Sequence, residues 1–293
     1  MRIFTHKLFF AFLVIFFLGN SASFASHLVG GDITYTYTGT PNVFTVKVTL
    51  YRDKTSTTTF ESYIYVGIYD KVTHAYAGYA YMGPPVLTTL TLGTPCYTPS
   101  LQIERAVYTL NVNIPSNANG YYLSYIRCCR NGSIVNIVSP STEGWLAYCE
   151  MPNPALGNSS PSFTTNPDGY MCRNFLNNDQ GFSATDANGD VLVYSFSTPL
   201  SCSALGQCSS ISPDPGYVAG PYGNITWGGG YSTANPLGDP GMVINSSTGA
   251  ITTTPPNTGV YVFCVKVEEY RAGVKIGEIR RDFQFDVLNS CTV

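Results

Sequence analysis

The chain has 293 residues with 15 basic and 18 acidic side chains, a net charge of −3, and charged residues make up only 11% of it. A composition this poor in charge, with 22 Tyr and 16 Phe, excludes a nucleic-acid binder built on basic patches and a disordered polyelectrolyte. It suits pleated, half-buried surfaces with uncharged polar outer faces.

Residues 1–25 read as a cleaved secretory signal peptide. Arg2 and Lys7 supply a positive start, Leu8 to Leu18 is almost unbroken apolar sequence, and Ser23-Phe24-Ala25 offers small residues at the cleavage positions. The apolar run of about 11 residues is shorter than the roughly 20 that a helix needs to cross a bilayer core. Cleavage before Ser26 leaves 268 residues with 13 basic and 18 acidic side chains, and no later stretch is long and apolar enough for a membrane span. The expected location is secreted or on the extracellular cell surface.

Strand periodicity follows at once. In Ile33–Tyr37 and Phe44–Leu50 apolar or aromatic residues alternate with polar ones, which places one set on each face of a strand. Ala106, Tyr108, Leu110, Val112 and Ile114 keep the same period, and Asn117-Ala118-Asn119-Gly120 then predicts the turn of a β-hairpin into a strand over Tyr121–Ile126. The Pro, Gly and Ser cluster between Pro152 and Pro161 cannot continue a central strand. A boundary near residue 155 therefore divides a first β-sandwich domain, 26–155, from a second, 156–293. Further strands are predicted near Val191–Ser197, Gly249–Thr253, Gly259–Val267 and Ile279–Val287, with a turn at Tyr270–Val274 joining the last two. The expected fold class is all-β: two consecutive antiparallel sandwiches after the signal peptide.

Nine cysteines lie beyond the leader, an odd number, and in an exported chain they read as a disulfide framework. Cys202 and Cys208 enclose a short loop and form a candidate local pair. The adjacent Cys128 and Cys129 are expected to reach different partners, because consecutive strand residues face opposite ways. No Cys-x-x-Cys pair is present to suggest zinc.

Several segments in order resemble the amino-terminal region of large cell-surface proteins of Bacteroidetes-type bacteria. They are Ser26-His27-Leu28-Val29-Gly30-Gly31-Asp32-Ile33-Thr34-Tyr35, Leu50-Tyr51-Arg52-Asp53, Arg127-Cys128-Cys129-Arg130-Asn131-Gly132 and Asn158-Ser159-Ser160-Pro161. Further on, the run Ala184 to Ser195, Glu268-Glu269-Tyr270-Arg271 and Arg280-Arg281-Asp282-Phe283-Gln284-Phe285 are similar to the same region and to a bacterial cadherin-like or Ig-like module. The resemblance implies a non-enzymatic extracellular surface or adhesion module, connected with gliding motility or type IX secretion, whose partner is an extracellular protein or glycan. A carbohydrate-binding module is the alternative, and a secreted enzyme of glycoside hydrolase type is the third reading.

Three sets of residues carry candidate chemistry. Asp186, Asn188 and Asp190 alternate around Gly189, so their oxygens can converge on calcium, with Asp179, Glu268 or Glu269 adding ligands from elsewhere; the competing reading is a tight Asn-Gly turn. Trp145 and Trp227, with tyrosines between Tyr63 and Tyr81, are candidates for a platform on which sugar rings stack. No nucleophile motif frames His27 or His74, and no catalytic residue is assigned. Glu104, Glu143, Glu150, Glu268 and Glu269 are the carboxylates from which an acid and base pair would have to come.

Overall fold

Alternation becomes a large sheet. The computed structural model describes residues 28–90, 102–179, 181–202 and 218–289; the expected leader and Cys96, Cys208 and Cys291 lie outside them. The front strands are β1 (Leu28–Tyr37), β2 (Val43–Asp53), β3 (Ile64–Asp70), β4 (Tyr76–Met82), β5 (Val86–Thr89), β6 (Ile103–Asn113), β7 (Tyr121–Arg127) and β8 (Trp145–Met151). Nine short strands and two long ones follow: β9 (Ser162–Phe163), β10 (Tyr170–Cys172), β11 (Asn177–Asp179), β12 (Ala184–Thr185), β13 (Val191–Ser197), β14 (Leu200–Ser201), β15 (Gly223–Asn224), β16 (Val243–Ile244) and β17 (Ile251–Thr253), and finally β18 (Gly259–Arg271) and β19 (Val274–Leu288). Among the described residues the helical turns are single 3-10 turns at Pro140–Thr142 and Pro154–Leu156. The fold is all-β.

Twelve strands share one sheet with the path β4-β3-β7-β8-β19-β1-β2-β6-β5, while β18 pairs with β19, β13 with β18, and β10 runs parallel to the end of β19. One side of β19 is taken by β18 along almost its whole length. Its other side meets β8 at Ile279, β1 at Asp282 and Phe283, and β10 from Asp286 to Leu288. Strands from both sides of residue 155 thus belong to one sheet.

From this junction two arms, β4-β3-β7-β8 and β1-β2-β6-β5, fold over a shared core. Phe44, Val46, Val48 and Leu50 of β2 face Val66, Leu123, Tyr125 and Ala147 of the opposite arm in one buried cluster. β4 packs near β6 at the far side, and the Tyr108 hydroxyl donates to the Glu61 carbonyl at 2.6 Å. The rear of the same core is aromatic: Phe263 stacks on Phe285 with centroids 4.9 Å apart, and Phe182 lies against both.

The Asn117–Gly120 turn does not make a hairpin between β6 and β7. β6 pairs with β2 and β5, whereas β7 pairs with β3 and β8, so the connection crosses from one arm to the other. Buried Ile114 begins that crossing, its N–H held by the Asn42 carbonyl, and Asn117 and Asn119 donate to the Asp70 carboxylate in the β3–β4 turn. These bonds to its ionised form hold the Asp70 carboxyl well below the usual range, the Thr73 backbone N–H contributing most. A tight hairpin joins β18 to β19, where Ala272 and Gly273, both at positive φ, fill a two-residue turn between Arg271 and Val274.

Buried charges lock the junction. Neighbours Arg281 and Asp282 on β19 point to opposite faces, as successive strand residues must. Arg281 Nη2 meets the Asp32 carboxylate of β1 at 2.7 Å, donates to the carbonyls of Thr165 and Gly181, and lies 3.8 Å over the Phe163 ring. Asp282 accepts both forks of Arg130, at 3.1 and 2.6 Å, and Arg130 also donates to the Leu200 carbonyl. Burial pushes the Asp282 carboxyl up, against the pull of Arg130. Arg52 pairs with Glu104, and Arg127 with Glu61. Arg52, Arg127, Arg130 and Arg281 are therefore internal scaffolding.

Candidate functional site

Two places on the molecule gather chemistry at or near the surface. The first is the outer face of β3, β4 and β7. With Ile64, Val66 and Ile68 turned into the core, Tyr65 and Tyr69 take the opposite face of the strand, Tyr69 covered by its neighbours, and the β3–β4 register sets Tyr65 opposite Tyr81. Tyr63 stacks on Tyr81 at 5.0 Å, Tyr81 meets Tyr65 at 4.7 Å, and Tyr65 meets Tyr79 edge-on at 5.5 Å. Tyr63, Tyr79 and Tyr81 are about half exposed, Tyr79 the most at 52%. No charged residue interrupts β3 from Ile64 to Tyr69 or β4 from Tyr76 to Met82.

Along the same face the rings continue inward. Tyr69 stacks on Tyr122 at 5.0 Å, and Tyr122 on Tyr148 at 5.5 Å. They lead to a cleft of about 190 Å³ lined by His74, Tyr122, Tyr148, Leu200, Tyr222 and Arg280, with the Gly220–Pro221 segment at its rim. The segment is tied down by polar contacts: the Gly220 N–H donates to the Tyr122 hydroxyl at 2.7 Å, and the Tyr222 hydroxyl donates to the Val218 carbonyl at 2.7 Å. Burial pushes the phenols of Tyr122, Tyr148 and Tyr222 up, so all three stay neutral and keep their hydrogen-bonding protons. Arg280 lies over the Tyr148 ring at 5.6 Å and is neutralised by Glu278 at 2.8 Å.

The second place is the loop between β12 and β13. Asp186 Oδ1 accepts the backbone N–H groups of Asn188 and Asp190, both at 2.9 Å, and Gly189 takes the positive φ that closes the turn. Asp186 and Asp190 come together with Glu269 of β18, one carboxylate oxygen of each lying within 4.8 Å of the others. Asn188 turns away, and its Oδ1 accepts the Ser159 N–H at 2.8 Å. Glu269 is wholly buried; its Oε1 accepts from Asn158 Nδ2 at 2.9 Å. Burial, together with Asp190 and Asp186, raises the Glu269 carboxyl to about 8. The Arg271 fork on Asp190 holds that carboxyl down. Asp179 stands elsewhere, accepting the Gly181 N–H, and Glu268 pairs with Lys266 and Lys275.

No family model matches the chain, and no curated protein matches it. The remaining candidate residues are placed by geometry alone. Trp145 is 3% exposed, its ring packed toward Gly31 and Tyr125 between the arms, so it offers no face to a ligand. Trp227 is half-buried and pairs by a single bridge with Ile137. Cys202 is disulfide-bonded; its proposed partner Cys208 lies outside the described residues. The side chains of Cys128 and Cys129 lie against each other. β7 ends at Arg127, so the strand alternation that would have separated them no longer applies at these two residues. Cys149 and Cys264 are free and buried.

Sequence reasoning missed the cleft, because Tyr148, Tyr222 and Arg280 come from three distant segments. For Glu269 a signal existed: it shares the inward phase of Val265 and Val267, where an ionisable side chain is out of place.

Proposed function

We propose that the protein is a non-enzymatic extracellular surface module of the adhesion type, exported by residues 1–25, that recognises carbohydrate through the tyrosine face of β3 and β4 and the cleft beside it. On this reading the front part, 26–155, carries the recognition face, and the rear part, 156–293, is the cadherin-like or Ig-like module of the resemblance. The observation that carries the reading is the run of ring contacts from Tyr63 through Tyr81 and Tyr65 to Tyr79, three of these rings about half exposed, on two strand stretches without a charged residue. A sugar ring has an apolar face that stacks on such a surface and hydroxyls that reach the phenol rim. The cleft, smaller than the roughly 300 Å³ at which ordinary ligand pockets begin, suits a single ring at a chain end.

Support for a non-enzymatic role comes from the carboxylates. Glu104 is held by Arg52, Glu143 accepts from the Ser201 hydroxyl, Glu150 accepts from the Tyr148 hydroxyl, Glu268 is held by two lysines, and Glu269 is wholly buried with no face open to a substrate. The test is a glycan array probed with the full mature chain. A reproducible sugar hit whose affinity falls about fivefold in Tyr81→Ala, matching the loss of about 1 kcal/mol of ring stacking, is the expected result. Absence of any hit, or hits indifferent to Tyr79→Ala and Tyr81→Ala, would overturn the reading.

A further inference from the structure

The acidic loop has a feature that a turn does not require. Asp186 uses Oδ1 to close the turn, and its Oδ2, though buried, accepts no hydrogen bond among the described residues. Glu269 Oε2 is likewise buried and without a hydrogen-bond donor among them. It is aimed at the two aspartates, and the backbone on its other side is Gly277, where an added Cβ would come within 3.2 Å of it. A buried carboxylate oxygen facing other carboxylates is costly unless a cation or proton joins them.

Charge and distance identify the cation. Three carboxylates against one guanidinium, Arg271, leave two negative charges to be balanced when all are ionised. Calcium binds oxygens at about 2.3–2.6 Å, so opposite ligands around one ion stand roughly 4.6–5.2 Å apart. The three oxygens, within 4.8 Å of one another, fit one coordination sphere of that size. Magnesium, at about 2.0–2.1 Å, demands a tighter and more regular cage.

A bound ion would join three segments. Asn158 bonds to Glu269 and to the Tyr35 hydroxyl, and the Ser159 N–H bonds to Asn188. The next two side chains run along the end of β1, where the N–H groups of Tyr35 and Tyr37 donate to the hydroxyls of Ser160 and Ser159. We propose that Asp186, Asp190 and Glu269 form a calcium site that staples the 186–190 loop and β18 to the Asn158–Ser160 segment capping β1.

The experiment uses the full mature chain, stripped with a chelator and titrated with calcium alone by calorimetry, with melting temperature followed in parallel. Saturable binding of one ion and a rise in melting temperature are expected, since a ligand specific to the folded state must stabilise it. Glu269→Gln should abolish both, and Asp186→Asn, which keeps the turn-closing Oδ1, should weaken binding at least tenfold while folding normally. Slower amide exchange at Tyr35 and Tyr37 with calcium bound would mark the staple. No binding at millimolar calcium, or binding unchanged in a folded Asp186→Asn, overturns the site; an equal response to magnesium overturns its assignment to calcium.

Discussion

Replacing Asp32 by Ala would break the ion pair that joins the first strand to the last. Asp32 and Arg281 have side chains only 2% and 3% exposed, and the pair is made through both Nε, at 2.9 Å, and Nη2, at 2.7 Å. Removing one partner of a buried pair costs about 3–5 kcal/mol, mostly because the other charge stays buried. The Arg281 guanidinium would keep two carbonyl acceptors, Thr165 and Gly181, and the Phe163 ring beneath it, which places the expected loss near the lower end, about 3 kcal/mol. For a chain of this size that is a fall in melting temperature of roughly 6–12 °C. Thermal melts of wild type, Asp32→Ala and Asp32→Asn at one ionic strength measure it, with Asn, which retains an acceptor, expected between the other two. An Asp32→Ala protein melting within about 2 °C of wild type would show that the pair contributes nothing net and refute the reasoning.

Other expectations follow from local geometry. Gly30→Ala would set a Cβ 2.4 Å from the Asp282 carbonyl and 2.6 Å from the Phe283 ring; a loss above about 3 kcal/mol in urea unfolding is expected, and a near-neutral effect would mean the β1–β19 contact is looser than described. Gly273→Ala meets open space but a φ of +81°, so its cost is the backbone term alone, about 1–2 kcal/mol, read from the same unfolding curves. Burial raises the Asp179 carboxyl from its ordinary 3.8 to about 7, with Asp168 adding to the rise. Between those values the folded protein holds a proton that the unfolded chain releases, so this stabilisation is complete below about pH 4 and is lost as pH climbs to 7. Asp179→Asn should therefore flatten the fall in urea midpoint from pH 5 to pH 7.5, and an unchanged slope would contradict the assignment.

Strands were legible because their signal is local. The alternation of β2 specifies which side chains turn inward within a few residues, whatever the strand later pairs with. Partner choice is not local. Asn117–Gly120 has turn chemistry suited to a hairpin, yet the chain uses it to cross between arms, because Ile114 and the Asp70 contacts anchor its two ends in different places. Trp145 illustrates the same limit: the sequence identifies a large amphipathic ring but not that Gly31, on a strand more than a hundred residues earlier, leaves room for it in the core. Of the acidic cluster, the loop carboxylates were readable from Asp-x-Asn-Gly-Asp, while the third member had to be brought by β18 from far along the chain. The tyrosines of β3 and β4 were legible as a group, and only the register showed which of them stack.

The pairing of β1 with β19 sets a schedule for the polypeptide. Gly30 and Gly31 meet Phe283 and Asp282 across a separation of about 250 residues, among the longest loops the chain could close. A nascent chain emerging from its amino terminus can form β1 with β2 early, but the edge of β1 at Gly30 and Gly31 keeps its backbone groups unpaired until β19 has been made. The front arms are thus assembled around an opening that β19 fills, which favours slow folding and a long-lived exposed edge. A chain cut short after β8 would carry that edge permanently, presenting Gly30 and Gly31 as a template for any extended segment able to reach them.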